Sequence, residues 1–162
     1  MDALNRIKFL EDRLHRLSEI GMALSTEKNT DHLFEMILEE AKIITQADGR
    51  TLYSINEDGD LNFEILRNDS MKTIMGGTSG VEIPYYPVQL WLDDQTPNQS
   101  NVSAYVALSG KTVNIKDAYE EDGFDFEGTK NFDKKSGYHS KSFLTHFEAL
   151  HSYLNIIELY KE

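Results

Sequence analysis

The sequence predicts an α+β domain in which an antiparallel sheet is flanked by a helix at each end of the chain. Three observations predict it. Apolar residues recur at three-and-four spacing near both termini, which is the period of a helix face. Between them, Thr51 to Ile55 and Leu61 to Ile65 form β-rich runs joined by Asn56-Glu57-Asp58-Gly59, the signature of a hairpin. Finally, 162 residues suffice for one core and one domain.

The first helix is expected from Leu4 to Leu24, with Ile7, Leu10, Leu14, Leu17 and Leu24 in a narrow heptad stripe and Gly21 at one seam position. Two readings of that stripe stand open: a helix lying along its own domain, or a helix paired with a second copy. A second helix begins at Asn29 or Thr30, either of which can cap it, and runs to about Ala47. Its broad apolar face, Leu33, Phe34, Ile37, Leu38, Ala41 and Ile44, suits packing on a sheet. The hairpin follows, with Leu61, Phe63 and Ile65 expected on one buried face.

From Asn68 to Pro97 the pattern weakens. Gly76, Gly77 and Gly80 lack the lysine and spacing of a phosphate loop. The aromatic run Ile83 to Trp91, broken by Pro84 and Pro87, is expected to be a strand and cover over the core. Ser100 or Asn101 can cap a short helix carrying Val102, Tyr105, Val106 and Leu108, which Gly110 stops in the left-handed conformation. A strand over Lys111 to Lys116, an acidic aromatic loop, a turn at Ser136-Gly137 and another strand entry follow. Phe147, Leu150, Leu154 and Ile157 then predict a final helix from His146 to the end of the chain.

Sixteen basic against 28 acidic side chains give a formal charge of -12, which repels a phosphate backbone and argues against nucleic acid as a partner. No apolar run approaches membrane-spanning length, and no secretory leader is expected. With no cysteine there is no thiolate or disulfide chemistry, which fits a cytoplasmic location. The acids Asp117, Glu120, Glu121, Asp122, Asp125, Glu127 and Asp133 fail the calcium-loop order, and no carboxylate and histidine pair has metal-site spacing. His139, His146 and His151 read as surface residues, and no cofactor, metal or catalytic group is expected.

Three ordered blocks carry a resemblance. Ala47-Asp48-Gly49-Arg50-Thr51-Leu52-Tyr53, Gly110 through Tyr119 (GKTVNIKDAY), and Phe132 through Leu144 (FDKKSGYHSKSFL) resemble the signature of a GAF domain. The form is similar to those of cyclic-nucleotide phosphodiesterases, bacterial adenylyl cyclases and sensory proteins ending in an HD-GYP domain. The resemblance implies a GAF-like antiparallel sheet, terminal helices packed on one face, and a homodimer made through those helices. It also implies a ligand, cyclic AMP or cyclic GMP, held at Thr51, Val102, Ser103, Asp133, Ser136 and Ser140. A helix N-terminus offers amides to a phosphate, and hydroxyls and carboxylates can read a purine edge. Ser136 and Ser140 keep a second reading as turn and strand-edge hydroxyls, and Asp133 one as a cap of the Ser-Gly turn.

The family pattern is shortened after Thr145, where a central strand is expected to be missing, either as a true deletion or as an omitted piece. A deletion would leave unpaired strand edges and favour strand donation from a partner. The expected organisation is a signalling helix over 1–28 and a GAF-like domain over 29–162. The expected role is a small-molecule-binding regulatory domain acting on an output domain such as an HD-GYP or a cyclase. The alternative is a ligand-free dimerisation module whose pocket its own side chains fill.

Overall fold

The computed structural model describes residues 3–150 and 153–161. Helices α1 (Ala3–Thr26) and α2 (Thr30–Thr45) lead into strands β1 (Gly49–Ile55), β2 (Leu61–Asn68) and β3 (Thr73–Gly76). Helix α3 (Val102–Ser109), strand β4 (Val113–Ile115), helix α4 (Glu127–Ser136) and strands β5 (Ser142–Leu150) and β6 (Tyr153–Lys161) follow. The strands form one six-stranded sheet in the order β3-β2-β1-β6-β5-β4, every neighbouring pair antiparallel.

Helix α2 starts where its capping signal lies: the Asn29 side chain accepts the His32 amide at 3.0 Å. Its Phe34, Ile37, Leu38 and Ala41 pack on Leu52, Ile65, Ile157 and Leu159, forming the core on one face of the sheet. A leucine, isoleucine or phenylalanine side chain contributes about 1.5–3 kcal/mol when fully buried. On the opposite face, Ala104 and Val106 of α3 pack on Tyr53, Leu61, Leu90 and Ile156. Beside them Val102, Ile115, Ala118, Phe126 and Phe143 form a further apolar cluster. The sheet is therefore covered on both sides, by α2 on one and by α3 and the loop residues Ala118 and Phe126 on the other.

Two expectations are corrected at the C-terminus. The segment from His146 is strand, not helix, and the central strand expected to be missing is present as β6, between β1 and β5. The three-and-four spacing is misleading because β6 is buried on both faces. Ile157 and Leu159 face α2 while Ile156 faces α3, so the apolar residues run together instead of alternating. His151 lies outside the described residues, as do the side chains of Leu24, Leu150, Tyr153 and Leu154.

The hairpin forms as expected, but its apolar residues do not share one face. Leu52 pairs with Ile65 and Tyr53 with Phe63, so Glu64 is left over between them. This one-residue slip sends Ile65 to the α2 side and Leu61 to the α3 side. The aromatic run supplies only isolated bridges, Leu61 to Val88 and Trp91 to Pro97, rather than a strand. Its prolines withhold ladder donors.

Helix α1 lies beside α2, with Arg16 paired to Glu40 at 3.1 Å. A groove of about 410 Å³ runs between them, lined by His15, Arg16, Ile20, Ala23, Met36 and Glu40. Of the heptad stripe, Ile7, Leu10, Leu14 and Leu17 are 50–67% exposed and do not face α2. Among the described residues no helix is long and apolar enough to cross a membrane.

Candidate functional site

The register of the three central strands sets a polar row across the α3 side of the sheet. Glu158 of β6 stands opposite Thr51 on β1 and opposite Thr145 on β5, and all three project to that side because strand side chains alternate. Helix α3 closes over the row. Asn101 caps it, accepting the Ala104 amide at 3.0 Å, and Gly110 ends it at φ +65°. Its first turn thus brings the Ser103 hydroxyl to Glu158 Oε2 at 2.9 Å, and the Thr145 hydroxyl donates to the same oxygen at 3.5 Å.

Tyr53, next on this face of β1, completes the group of hydroxyls around the carboxylate. Burial pushes its phenol well above the ordinary tyrosine range, and the Glu158 charge adds to that push. Burial likewise raises the Glu158 carboxyl above the ordinary range, while hydrogen bonds from Ser103, Thr145 and Tyr53 pull it back.

The exposures within the row differ. Thr51, Ser103 and Thr145 are 2%, 3% and 0% exposed, whereas Glu158 between them keeps accessible surface. Among the described residues no lysine or arginine comes within ion-pair reach of Glu158. Arg50, one residue before Thr51, points to the other face, where Glu39 and Asp69 engage it at 2.7 and 3.0 Å.

The neighbouring row holds Asn68, Gly49 and Tyr160. Gly49 is required there, since a Cβ would fall 2.0 Å from the Tyr160 ring. Burial pushes the Tyr160 phenol up to about 12, while the nearby Asn68 and Thr51 side chains act in the opposite direction. Tyr138 donates to Asp48 at 2.8 Å and is raised by burial. Asn68 is buried, and its Nδ2 has no acceptor in hydrogen-bonding geometry.

The six sequence-predicted residues therefore divide. Thr51 and Ser103 belong to the polar group around Glu158. Val102 is turned into the apolar cluster with Phe126 and Phe143. Asp133 and Ser140 bond one another: the carboxylate accepts the Ser140 amide at 2.7 Å, its hydroxyl at 2.9 Å and the Tyr119 hydroxyl at 2.8 Å. Ser136 is exposed and bonds the Phe132 carbonyl at the end of α4. Helix α4 itself lies where the sequence predicts a loop. Its signals were Lys134 and Lys135 in the last turn followed by Gly137, which ends it at φ +74°.

Glu158, Tyr53, Thr145 and Tyr160 were missed. Reading 146–162 as a helix hid the alternation that aims Glu158 at Ser103. No group of three or more metal-ligating side chains occurs among the described residues.

Glu158 yields a pH prediction. A carboxyl whose folded pKa is raised contributes stability below its unfolded pKa, near 4.5, and loses that contribution as pH rises through the folded value. Glu158→Gln keeps an acceptor for Ser103 and does not titrate. Wild type should therefore gain stability relative to Glu158→Gln as pH falls from neutral toward 4.5. Melting curves of both proteins across that range check it; a constant difference would contradict it.

The sequence matches no protein-family model and no curated protein. Solved structures do match in fold. The chain is similar to the GAF domain of a phosphoenolpyruvate-protein phosphotransferase from Acinetobacter, with TM-score 0.62 and 11% identity over 99% of this chain and 79% of that one. The corresponding domain from Coxiella burnetii gives TM-score 0.57 and 13% identity over 91% and 76%. A methyl-accepting chemotaxis protein gives 0.55 and 12% over 88% and 80%. With its two-sided six-stranded sheet in place, the chain has the α+β fold of a GAF domain.

Proposed function

We propose that the chain is a non-catalytic regulatory module, in which a small molecule bound over β6 biases the arrangement of α1 and so an output domain. The observation that carries this reading is Glu158: a carboxylate with no cationic partner among the described residues, in the middle of a buried polar row beneath the first turn of α3. The fold likeness to GAF domains, two of them from phosphotransferase proteins, supports a regulatory role. A cyclase or an HD-GYP domain in the cytoplasm is the output that the sequence blocks favour. Cyclic AMP or cyclic GMP, which those blocks also favour, would have to seat its phosphate at Ser103, beside Glu158.

The same reading makes the protein a homodimer through α1. Its exposed Ile7, Leu10, Leu14 and Leu17 form a seam of the width that a paired helix buries. Sedimentation should give a dimer that Leu10→Asp combined with Leu14→Asp converts to a folded monomer. A wild-type monomer at high protein concentration would refute the pairing.

For the ligand, thermal denaturation with cyclic AMP, cyclic GMP and small organic ions is the direct test. A ligand at about 100 times its dissociation constant stabilises the native state by about 2.7 kcal/mol, a shift of a few degrees. A shift that Ser103→Ala and Glu158→Gln both diminish supports the site. Unchanged melting with every compound would sink the ligand-binding role.

A further inference from the structure

We propose that the ligand of this site is a small organic cation carrying an ammonium or guanidinium head that pairs with Glu158. The inference rests on the regulatory reading above and names the chemistry of its ligand.

Among the described residues the side-chain partners of Glu158 are hydroxyls. Ser103 and Thr145 donate to one oxygen, Oε2, and Tyr53 adds its phenol. Hydroxyls solvate a carboxylate but do not neutralise it. A carboxylate withdrawn from water without a countercharge is costly, and that cost is relieved when a cation with matching donors arrives. The nearest arginine in sequence on β1, Arg50, is committed to Glu39 and Asp69 on the opposite face. No described lysine or arginine takes its place. Glu158 as a residue is only partly buried, unlike Thr51, Ser103 and Thr145 around it.

An anion meets the opposite conditions. A cyclic phosphate bonded at Ser103 would lie against the carboxylate that Ser103 itself contacts at 2.9 Å, and like charges at that range in a poorly solvated site repel strongly. The formal charge of -12 adds long-range attraction for cations and repulsion for phosphates.

The test uses the full chain with methylguanidinium chloride and butylammonium chloride, each against sodium chloride at matched ionic strength, read by melting temperature. The expected result is a rise of several degrees in wild type with at least one organic cation. The rise is absent in Glu158→Gln and retained, at reduced size, in Glu158→Asp, which keeps the charge should the glutamine variant fold poorly. No rise in wild type, or an equal rise in Glu158→Gln, overturns the cationic assignment. Stabilisation by cyclic AMP that Ser103→Ala removes, with the cations inert, also overturns it and leaves the ligand-binding reading standing. Inertness toward every compound removes both.

Discussion

Leu61→Ala should destabilise the domain by about 2–5 kcal/mol, the cost of deleting a fully enclosed leucine and leaving a cavity. Leu61 opens β2, is 0% exposed, and meets Tyr53, Leu90, Ala104, Val106 and Ile156. Its backbone is fixed on two sides. It pairs with Ile55 in β1, and its amide and carbonyl bond those of Val88 at 2.9 and 2.8 Å. The walls around it are therefore strands and a bridged loop that cannot collapse inward without losing ladder hydrogen bonds, which places the cost in the upper part of the range. Urea denaturation measures it against Ile74→Ala, whose side chain is 59% exposed on β3 and whose loss should cost under about 0.5 kcal/mol. Equal effects of the two substitutions would show that the α3-side core is not packed as described.

Gly76→Ala should cost at least about 1–3 kcal/mol from backbone strain alone, with a steric cost on top. Gly76 has φ 68° and ψ -172°, a region open essentially only to glycine. An added Cβ would stand 2.0 Å from the Glu64 carbonyl oxygen and 2.7 Å from Ile83 Cδ1. The position also anchors its surroundings. Its carbonyl accepts from Arg67, which is paired with Glu35 of α2, and from Ser79. Glu35 in turn accepts the Thr78 amide and hydroxyl at 3.1 and 2.7 Å, joining α2 to the turn after β3. Displacing Gly76 therefore loosens the helix as well as the strand. Gly80→Ala is the control, because Gly80 has φ +70° but no atom within 4 Å of a new Cβ. Its cost should be the smaller of the two, and a reversal would contradict the close approach to Glu64.

Much of the fold was legible where local chemistry and tertiary packing agree. The Asn29 cap, the wide face of α2, the Asn56 to Gly59 hairpin and the Asn101 to Gly110 helix each carry their own start or stop signal. What misled was burial on two faces. Ile156 and Ile157 are adjacent and both enclosed, so their strand carries no alternation, and the chance spacing of Phe147, Leu150, Leu154 and Ile157 imitated a helix. The slip at Glu64 was equally hidden, because an extra residue in a strand leaves no mark in composition.

The site followed the same division. Thr51 and Ser103 could be named from the family resemblance, and their elements, β1 and α3, were read correctly. Asp133 and Ser140 could be named, but not their mutual bonding, which depends on the unforeseen α4. Glu158 was out of reach once its strand was read as a helix. Its partners come from α3, β1 and β5, which only the sheet order brings together.

The sheet also suggests how a bound molecule would be felt at α1. Successive β1 residues face opposite ways: Thr51 and Tyr53 toward Glu158, Arg50 and Leu52 toward α2. Arg50 holds Glu39, and the adjacent Glu40 holds Arg16 of α1. A ligand alters α1 only if it favours one arrangement of this assembly over another.

Hydrogen exchange on the full chain, with and without methylguanidinium, tests the regulatory account most directly, since it reports the site and α1 in one experiment. The account predicts slower exchange in β6 and the first turn of α3, accompanied by changed exchange in α1, with both responses lost in Glu158→Gln. Protection at the site with α1 unaltered, or an α1 response that persists in Glu158→Gln, would contradict it.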